Sequence, residues 1–174
     1  MIRSPDDIIN QLGIARGETI AEIGSGSGHM AIALAHAVGK NGHVYAIDIK
    51  PDVLDRLESD ARQAGLSHVE TITGDIQIGG SIPVLDGQID KVMLVMVLFY
   101  LQDMDSVFAE IARVLKSGGQ VIAVEWEDSF GGIGPHSDHL VTIEQIKESA
   151  EKSGLIFMRD LDVGEQHFGM VFKK

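Results

Sequence analysis

The sequence predicts an α/β fold: a doubly wound, mostly parallel sheet of seven strands that finishes in an antiparallel hairpin. Three observations predict it. Short apolar runs of strand length alternate with stretches whose apolar residues recur at helical spacing, which is the order of repeated strand-helix-strand units. The first such run leads straight into the glycine-rich turn Gly24-Ser25-Gly26-Ser27-Gly28 and then into a helical segment. The last two apolar runs follow one another with no helix between them, which predicts a terminal hairpin.

Taken in order, Ser4-Pro5-Asp6-Asp7 ahead of Ile8, Ile9 and Leu12 predicts a short amphipathic helix, with Ser4 as N-cap, Pro5 in its first turn, and Gly13 and Gly17 ending it. Residues 19–23 form an apolar strand running into the glycines, and residues 29–38 a small-residue helix closed by Gly39. Residues 43–49 form the second strand. Residues 51–64, with Val53, Leu54, Leu57 and Ala61 on one face, form a second helix stopped by Gly65. The pattern continues as strand 69–73, a loop rich in Gly and Ile, strand 89–98, helix 105–115, Gly118-Gly119 and strand 120–126. Residues 129–138 are glycine-rich and irregular, residues 142–153 are helical, and strands 155–161 and 167–172 close the chain. No repeat or linker divides the chain, so residues 1–174 are expected to form one domain.

Composition narrows the classes of function. With no cysteine, neither a disulfide framework nor a thiolate metal site exists, which fits a cytoplasmic protein. The opening Met1-Ile2-Arg3-Ser4-Pro5-Asp6-Asp7 lacks the apolar run of a secretory leader, and the apolar stretch 92–101 falls short of the roughly 20 residues that a helix needs to span a bilayer. A net charge of −12, with no cluster of Lys and Arg, argues against binding nucleic acid and favours neutral or cationic ligands.

A glycine turn between a strand and a helix brings backbone close to a ligand at the positive end of the helix dipole. Gly26-Ser27-Gly28-His29-Met30-Ala31 satisfies the dinucleotide pattern G-x-G-x-x-G/A, with Asp48 standing where a ribose-binding acid would. Any nucleoside laid across two adjacent strand ends also wants that carboxylate. Glu22 separates the alternatives, because a carboxylate there repels a pyrophosphate but can orient the loop or, through water, meet a cationic amino group. Its bland reading is a buried acid satisfied by loop amides.

Ala21-Glu22-Ile23-Gly24-Ser25-Gly26-Ser27-Gly28 resembles the first motif of class I S-adenosyl-L-methionine-dependent methyltransferases, whose Rossmann-like fold matches the predicted order. The resemblance continues through Ile47-Asp48-Ile49 and Gly74-Asp75-Ile76. It implies that Asp48 takes both ribose hydroxyls, Ile49 packs on adenine, and Asp75, beside Ile76, accepts from the adenine amino group. As a plain sequence feature, Asp75 is equally a turn residue. Residues 89–103 and 111–121 resemble the small-molecule branch, methyltransferase type 11, which includes ubiquinone and menaquinone biosynthesis enzymes. The branch implies a small-molecule acceptor and, at the end of the sheet, an inserted antiparallel strand. The implied cofactor set is Glu22, Gly24, Ser25, Gly26, Gly28, Asp48, Ile49, Asp75, Ile76 and Val95.

Departures from the family are also plain. Ser117 replaces the usual proline before Gly118-Gly119, and Leu94, Val95 and Met96 stand where relatives carry small polar residues, so contacts there would be backbone or apolar. Almost nothing precedes the first helix, where larger relatives build a lid. An asparagine-proline-proline-aromatic motif is absent after Asp90, which counts against nucleic-acid amino methylation.

Methyl transfer from a sulfonium needs mainly proximity, alignment and exclusion of water, and a base only where the acceptor must lose a proton. Candidate bases by position are Tyr100, Glu127, His136 and His139, with Glu125 beside them; the histidines read equally well as exposed loop residues next to a helix-capping Asp138. A zinc site from His136, His139 and His167 has an unspecific spacing, and no metal is expected. Trp126 and Phe130 line an acceptor pocket or, for Trp126, pack the core. Two other readings remain: a silent cofactor-binding or partner protein, and a dinucleotide-dependent oxidoreductase.

Overall fold

The computed structural model describes residues 2–129 and 134–174. Its strands are β1 (Thr19–Ile23), β2 (His43–Asp48), β3 (Val69–Thr73), β4 (Ile89–Val95), β5 (Leu115–Trp126), β6 (Ile156–Leu161) and β7 (His167–Lys173). The helices are α1 (Pro5–Ile9), α2 (His29–Val38), α3 (Pro51–Gln63), α4 (Met104–Val114) and α5 (Ile143–Lys152), with 3-10 turns at Leu98–Tyr100 and Ser137–His139. The seven strands form one sheet in the order β3-β2-β1-β4-β5-β7-β6. Neighbours from β3 to β5 are parallel, while β7 runs antiparallel between β5 and β6.

Strand order reverses at β1, which lies between β2 and β4, and in open α/β sheets that reversal opens a crevice at the carboxyl ends of the strands. The apolar run of β4 is continuous because both sheet faces are covered: Val92 and Leu94 join the core under α4 and α5, and Met93 joins the core under α2 and α3. Phe108 on α4 meets Phe172 on β7 edge to face at 6.3 Å. Truncating a buried phenylalanine of this kind costs about 3–5 kcal/mol.

Several boundaries differ from the expectation. β4 ends at Val95, because Met96 turns to φ +50 and the chain continues as the 3-10 turn. β5 begins at Leu115, which pairs with Ile89 across a bulge before the ladder resumes at Gln120. α4 starts at Met104, capped by Asp103, whose Oδ1 accepts the Ser106 N–H. α1 stops at Ile9, with its N-cap at Ser4 as expected. Asp138 caps nothing at α5; Thr142 and Gln145 cap it reciprocally.

Candidate functional site

The turn after β1 is locked onto the neighbouring strand. Gly24 and Ser25 donate their N–H groups to the Ile47 carbonyl, Gly26 donates to Asp48 Oδ2 at 2.9 Å, and Gly28 donates to the Ser25 carbonyl. Gly24 has φ +73, and a Cβ there would stand 2.5 Å from Val97 Cγ2; Gly28 has φ +79 and abuts Leu57 Cδ1 of α3. Both positions demand glycine for conformation and for space. Gly28 therefore sets the packing of α2 on α3 and does not line the cleft.

Above this turn lies a cavity of about 1040 Å³. Of the implied cofactor residues, Glu22, Gly24, Ser25, Gly26, Asp48, Ile49, Asp75, Ile76 and Val95 line it. Its size is at the top of the range of about 300–1000 Å³ for sites that enclose one drug-sized ligand, so it has room for a cofactor and a small second molecule. A cavity of about 280 Å³ at the opposite ends of the strands is lined by the ion pairs Lys91–Glu18 and Lys116–Asp90.

Glu22 is buried, and its Oε2 has no hydrogen-bond partner. Burial pushes its carboxyl up to about 8; hydrogen bonds from Ser25 and the Ala31 amide oppose the shift, and the Asp48 charge adds to it. A buried acceptor left unpaired is costly, and a ligand donor would relieve it. Asp48 spends one lone pair of each oxygen on backbone, Oδ2 on Gly26 and Oδ1 on Lys50, which holds the carboxylate at the strand end with acceptor capacity to spare. Ile49 is 63% exposed at the mouth, while Ile76 is buried in the wall.

Four of the loop amides weigh against a pyrophosphate. A pyrophosphate needs free N–H groups, yet those of Gly24, Ser25, Gly26 and Gly28 are already donated within the protein, and two carboxylates stand beside them. The carboxylates of Glu22, Asp48 and Asp75 line the cleft together, an acceptor set suited to a ligand that carries amino and hydroxyl donors.

Of the candidate bases, only Tyr100 lines the cleft, 73% exposed and stacked on Phe99. Glu127, His136 and His139 are exposed and line no part of it; His136 pairs with Asp138. His167 is buried against the Trp126 ring, and among the described residues no group of three metal-binding side chains is assembled. Phe130 lies outside the described residues. Leu94 is fully buried, leaving Val95 and Met96 to face the cavity.

Two contributions are not legible in the sequence, and a third gives Glu125 a role other than that of a base. The segment before and within α1 lines the cleft through Ile2, Arg3, Pro5 and Ile8, despite its shortness. It is stitched to the β6–β7 turn by Arg3 N–H to the Val163 carbonyl, an Ile2–Gly164 bridge and the Arg3–Asp162 ion pair. His29, bonded to Ser27 Oγ at 2.9 Å, also faces the cavity. Glu125, buried at the end of β5, accepts the Leu98 N–H at 2.6 Å and so holds the turn that carries Val97 and Tyr100. Burial pushes its carboxyl up to about 7 against the amides of Leu98, Trp126, Val97 and Phe99.

Comparison with known proteins agrees with this geometry. The family model described as "Methyltransferase domain" matches residues 21–123, and the chain belongs to that family. It is 30% identical over 120 residues to the demethylmenaquinone methyltransferase of Geobacillus kaustophilus, covering 69% of this chain and 50% of that protein. It is 32% identical over 108 residues to the arsenite methyltransferase of Halobacterium salinarum, covering 62% and 27%. The chain thus spans about half the length, or less, of these curated relatives. Its fold matches a SAM dependent methyltransferase from Aquifex aeolicus with a TM-score of 0.88 at 23% identity, over 97% of this chain and 88% of that one. The [4+2]-cyclase SpnF shares the fold with a TM-score of 0.82 at 18% identity, over 98% and 79%.

Proposed function

We propose that this protein is an S-adenosyl-L-methionine-dependent methyltransferase that moves a methyl group to a small-molecule acceptor, with residues 1–174 acting as one domain. The observation that carries the reading is the unpartnered Glu22 Oε2 in the same cleft as Asp48 and Asp75, beneath a glycine turn whose Gly24, Ser25, Gly26 and Gly28 amides are already donated within the protein. Membership of the methyltransferase domain family supports it.

When bound, the cofactor supplies an electrophilic methyl on a sulfonium. The chain's part is to bind and align. Glu22 accepts from the cofactor's amino group, Asp48 from the ribose hydroxyls and Asp75 from the base amine, while Ile49 and Ile76 pack on the base. The turn at Gly24 and Gly26 lets the backbone approach closely, and Val95, Met96 and Val97 form an apolar floor that keeps water from the transfer. Where the acceptor must lose a proton, Tyr100, His29 and His36 are cleft-lining groups able to take it.

The acidic chain supports a small-molecule acceptor over nucleic acid. The names of the relatives, which act on a demethylmenaquinone and on arsenite, support a small acceptor without choosing one. No helix among the described residues is long and apolar enough to cross a membrane. A second reading, cofactor binding without methyl transfer, draws on the apolar residues Val95 and Met96 that face the cleft and on the shared fold of a cyclase.

Incubation with methyl-labelled cofactor and a panel of phenols, quinols, amines and thiols tests the choice. Transfer of label to one class establishes the activity. Binding of cofactor with no transfer to any acceptor favours the silent reading, and stabilisation by a dinucleotide alone overturns both.

A further inference from the structure

Asp75 does not stand free at its strand end. Its Oδ1 accepts the backbone N–H of Gln77 at 3.0 Å and the Gln77 side-chain amide at 3.3 Å. The Gln77 Oε1 in turn accepts the N–H groups of Gln102 at 2.7 Å and Asp103 at 3.3 Å, between the 3-10 turn Leu98–Tyr100 and α4. Chemistry fixes the orientation of this amide, since the reverse would place its NH2 against two N–H donors and its oxygen against a carboxylate.

The chain of contacts reaches rigid structure. Asp103 is the N-cap of α4, and α4 is anchored by Phe108 and Ile111, both fully buried. Gln77 thus connects the loop after β3 to the start of a core helix, and through that link it holds one carboxylate oxygen of Asp75. Among the described residues no protein donor reaches the other oxygen, and Asp75 lines the cleft.

We propose that Gln77 is a positioning residue that immobilises the Asp75 carboxylate as a one-oxygen acceptor, making the site selective for a purine with an exocyclic 6-amino group over its 6-oxo counterpart. The inference rests on the reading that the cleft takes an adenosyl cofactor. A carboxylate accepts and does not donate, so a 6-amino group satisfies it while a 6-oxo group meets it lone pair to lone pair. A mobile carboxylate would turn away or admit a bridging water; one clamped to α4 cannot, and the mismatch is felt in full.

The test is the ratio of affinities for S-adenosylhomocysteine and its deaminated 6-oxo analogue, measured by calorimetry on wild type, Gln77→Ala, Gln77→Glu and Asp75→Asn. The ratio compares two ligands on one protein sample, so a partly unfolded variant does not distort it. Gln77→Glu keeps an acceptor for Gln102 and Asp103 but loses the donor to Asp75. Wild type is expected to prefer the 6-amino ligand, and both Gln77 variants to lose about tenfold of that preference. An unchanged ratio in both Gln77 variants, with Asp75→Asn lowering it, overturns the positioning role and leaves the cofactor reading standing. Failure of wild type to bind either ligand overturns both.

Discussion

The proposed contact between buried Glu22 and the cofactor's amino group predicts that cofactor affinity depends on pH. With its carboxyl pushed up to about 8 by burial, about nine molecules in ten hold it protonated at pH 7. A cationic amino group recruits the ionised form, so apparent affinity scales with the ionised fraction. Between pH 6 and 7.5, below the range in which an α-amino group loses its own charge, that fraction rises about twentyfold. Calorimetric titration with S-adenosylhomocysteine across this window, in two buffers of different ionisation enthalpy, should show affinity rising by about that factor, with close to one proton released per site. Glu22→Gln should flatten the profile and abolish the release. Wild-type affinity constant within about twofold, with no proton release, would refute the claim that Glu22 meets a cation.

The remaining predictions concern stability and the glycine turn. A raised carboxyl pKa stabilises the fold below the ordinary value of about 4.3, and that contribution is lost as pH rises through the folded value. For Glu125, pushed up to about 7, urea midpoints should therefore fall between pH 5 and 8, and the fall should shrink in Glu125→Gln. Glu125→Ala should cost about 1–3 kcal/mol by leaving the Leu98 N–H unpaired; a cost near zero would contradict the role assigned to that contact. Gly28→Ala, at φ +79 with Leu57 2.4 Å from the new Cβ, should lower stability by about 1–3 kcal/mol. Gly26→Ala meets nothing nearer than the Gly24 carbonyl at 3.8 Å, so its conformational cost at φ +48 comes without a clash, and its larger effect should be weaker cofactor binding in the same titrations.

What the sequence disclosed was local. Helical and strand periods, the Ser4 cap, the glycine turn and acids at strand ends each lie within a few residues, and the structure assembles nine of the ten implied cofactor positions in one cleft. The tenth, Gly28, is close to the turn in sequence but faces Leu57 of α3, a contact that periodicity does not report. The end of β4 was illegible because Val97 and Leu98 are as apolar as the strand before them; what ends it is Met96 turning to φ +50 and Glu125 of β5 receiving the Leu98 amide. His136 and His139 are loop histidines that follow a strand end in the sequence, but neither lines the cleft. The lining by Ile2 and Arg3 depends on pairing with the β6–β7 turn, some 160 residues along the chain. Gln77 had a readable trace: an Asp followed two residues later by an N–H donor is the pattern of an Asx turn. Its second grip, on Gln102, had none.

Calorimetric titration of wild type and Asp48→Ala with S-adenosylhomocysteine tests the central claim most directly. Asp48 both ties Gly26 into the turn and lines the cleft. Saturable one-to-one binding by wild type, weakened about a hundredfold or more in Asp48→Ala as two charged hydrogen bonds are lost, is the predicted result. No binding by wild type at millimolar ligand, or equal binding by the two proteins, would contradict it.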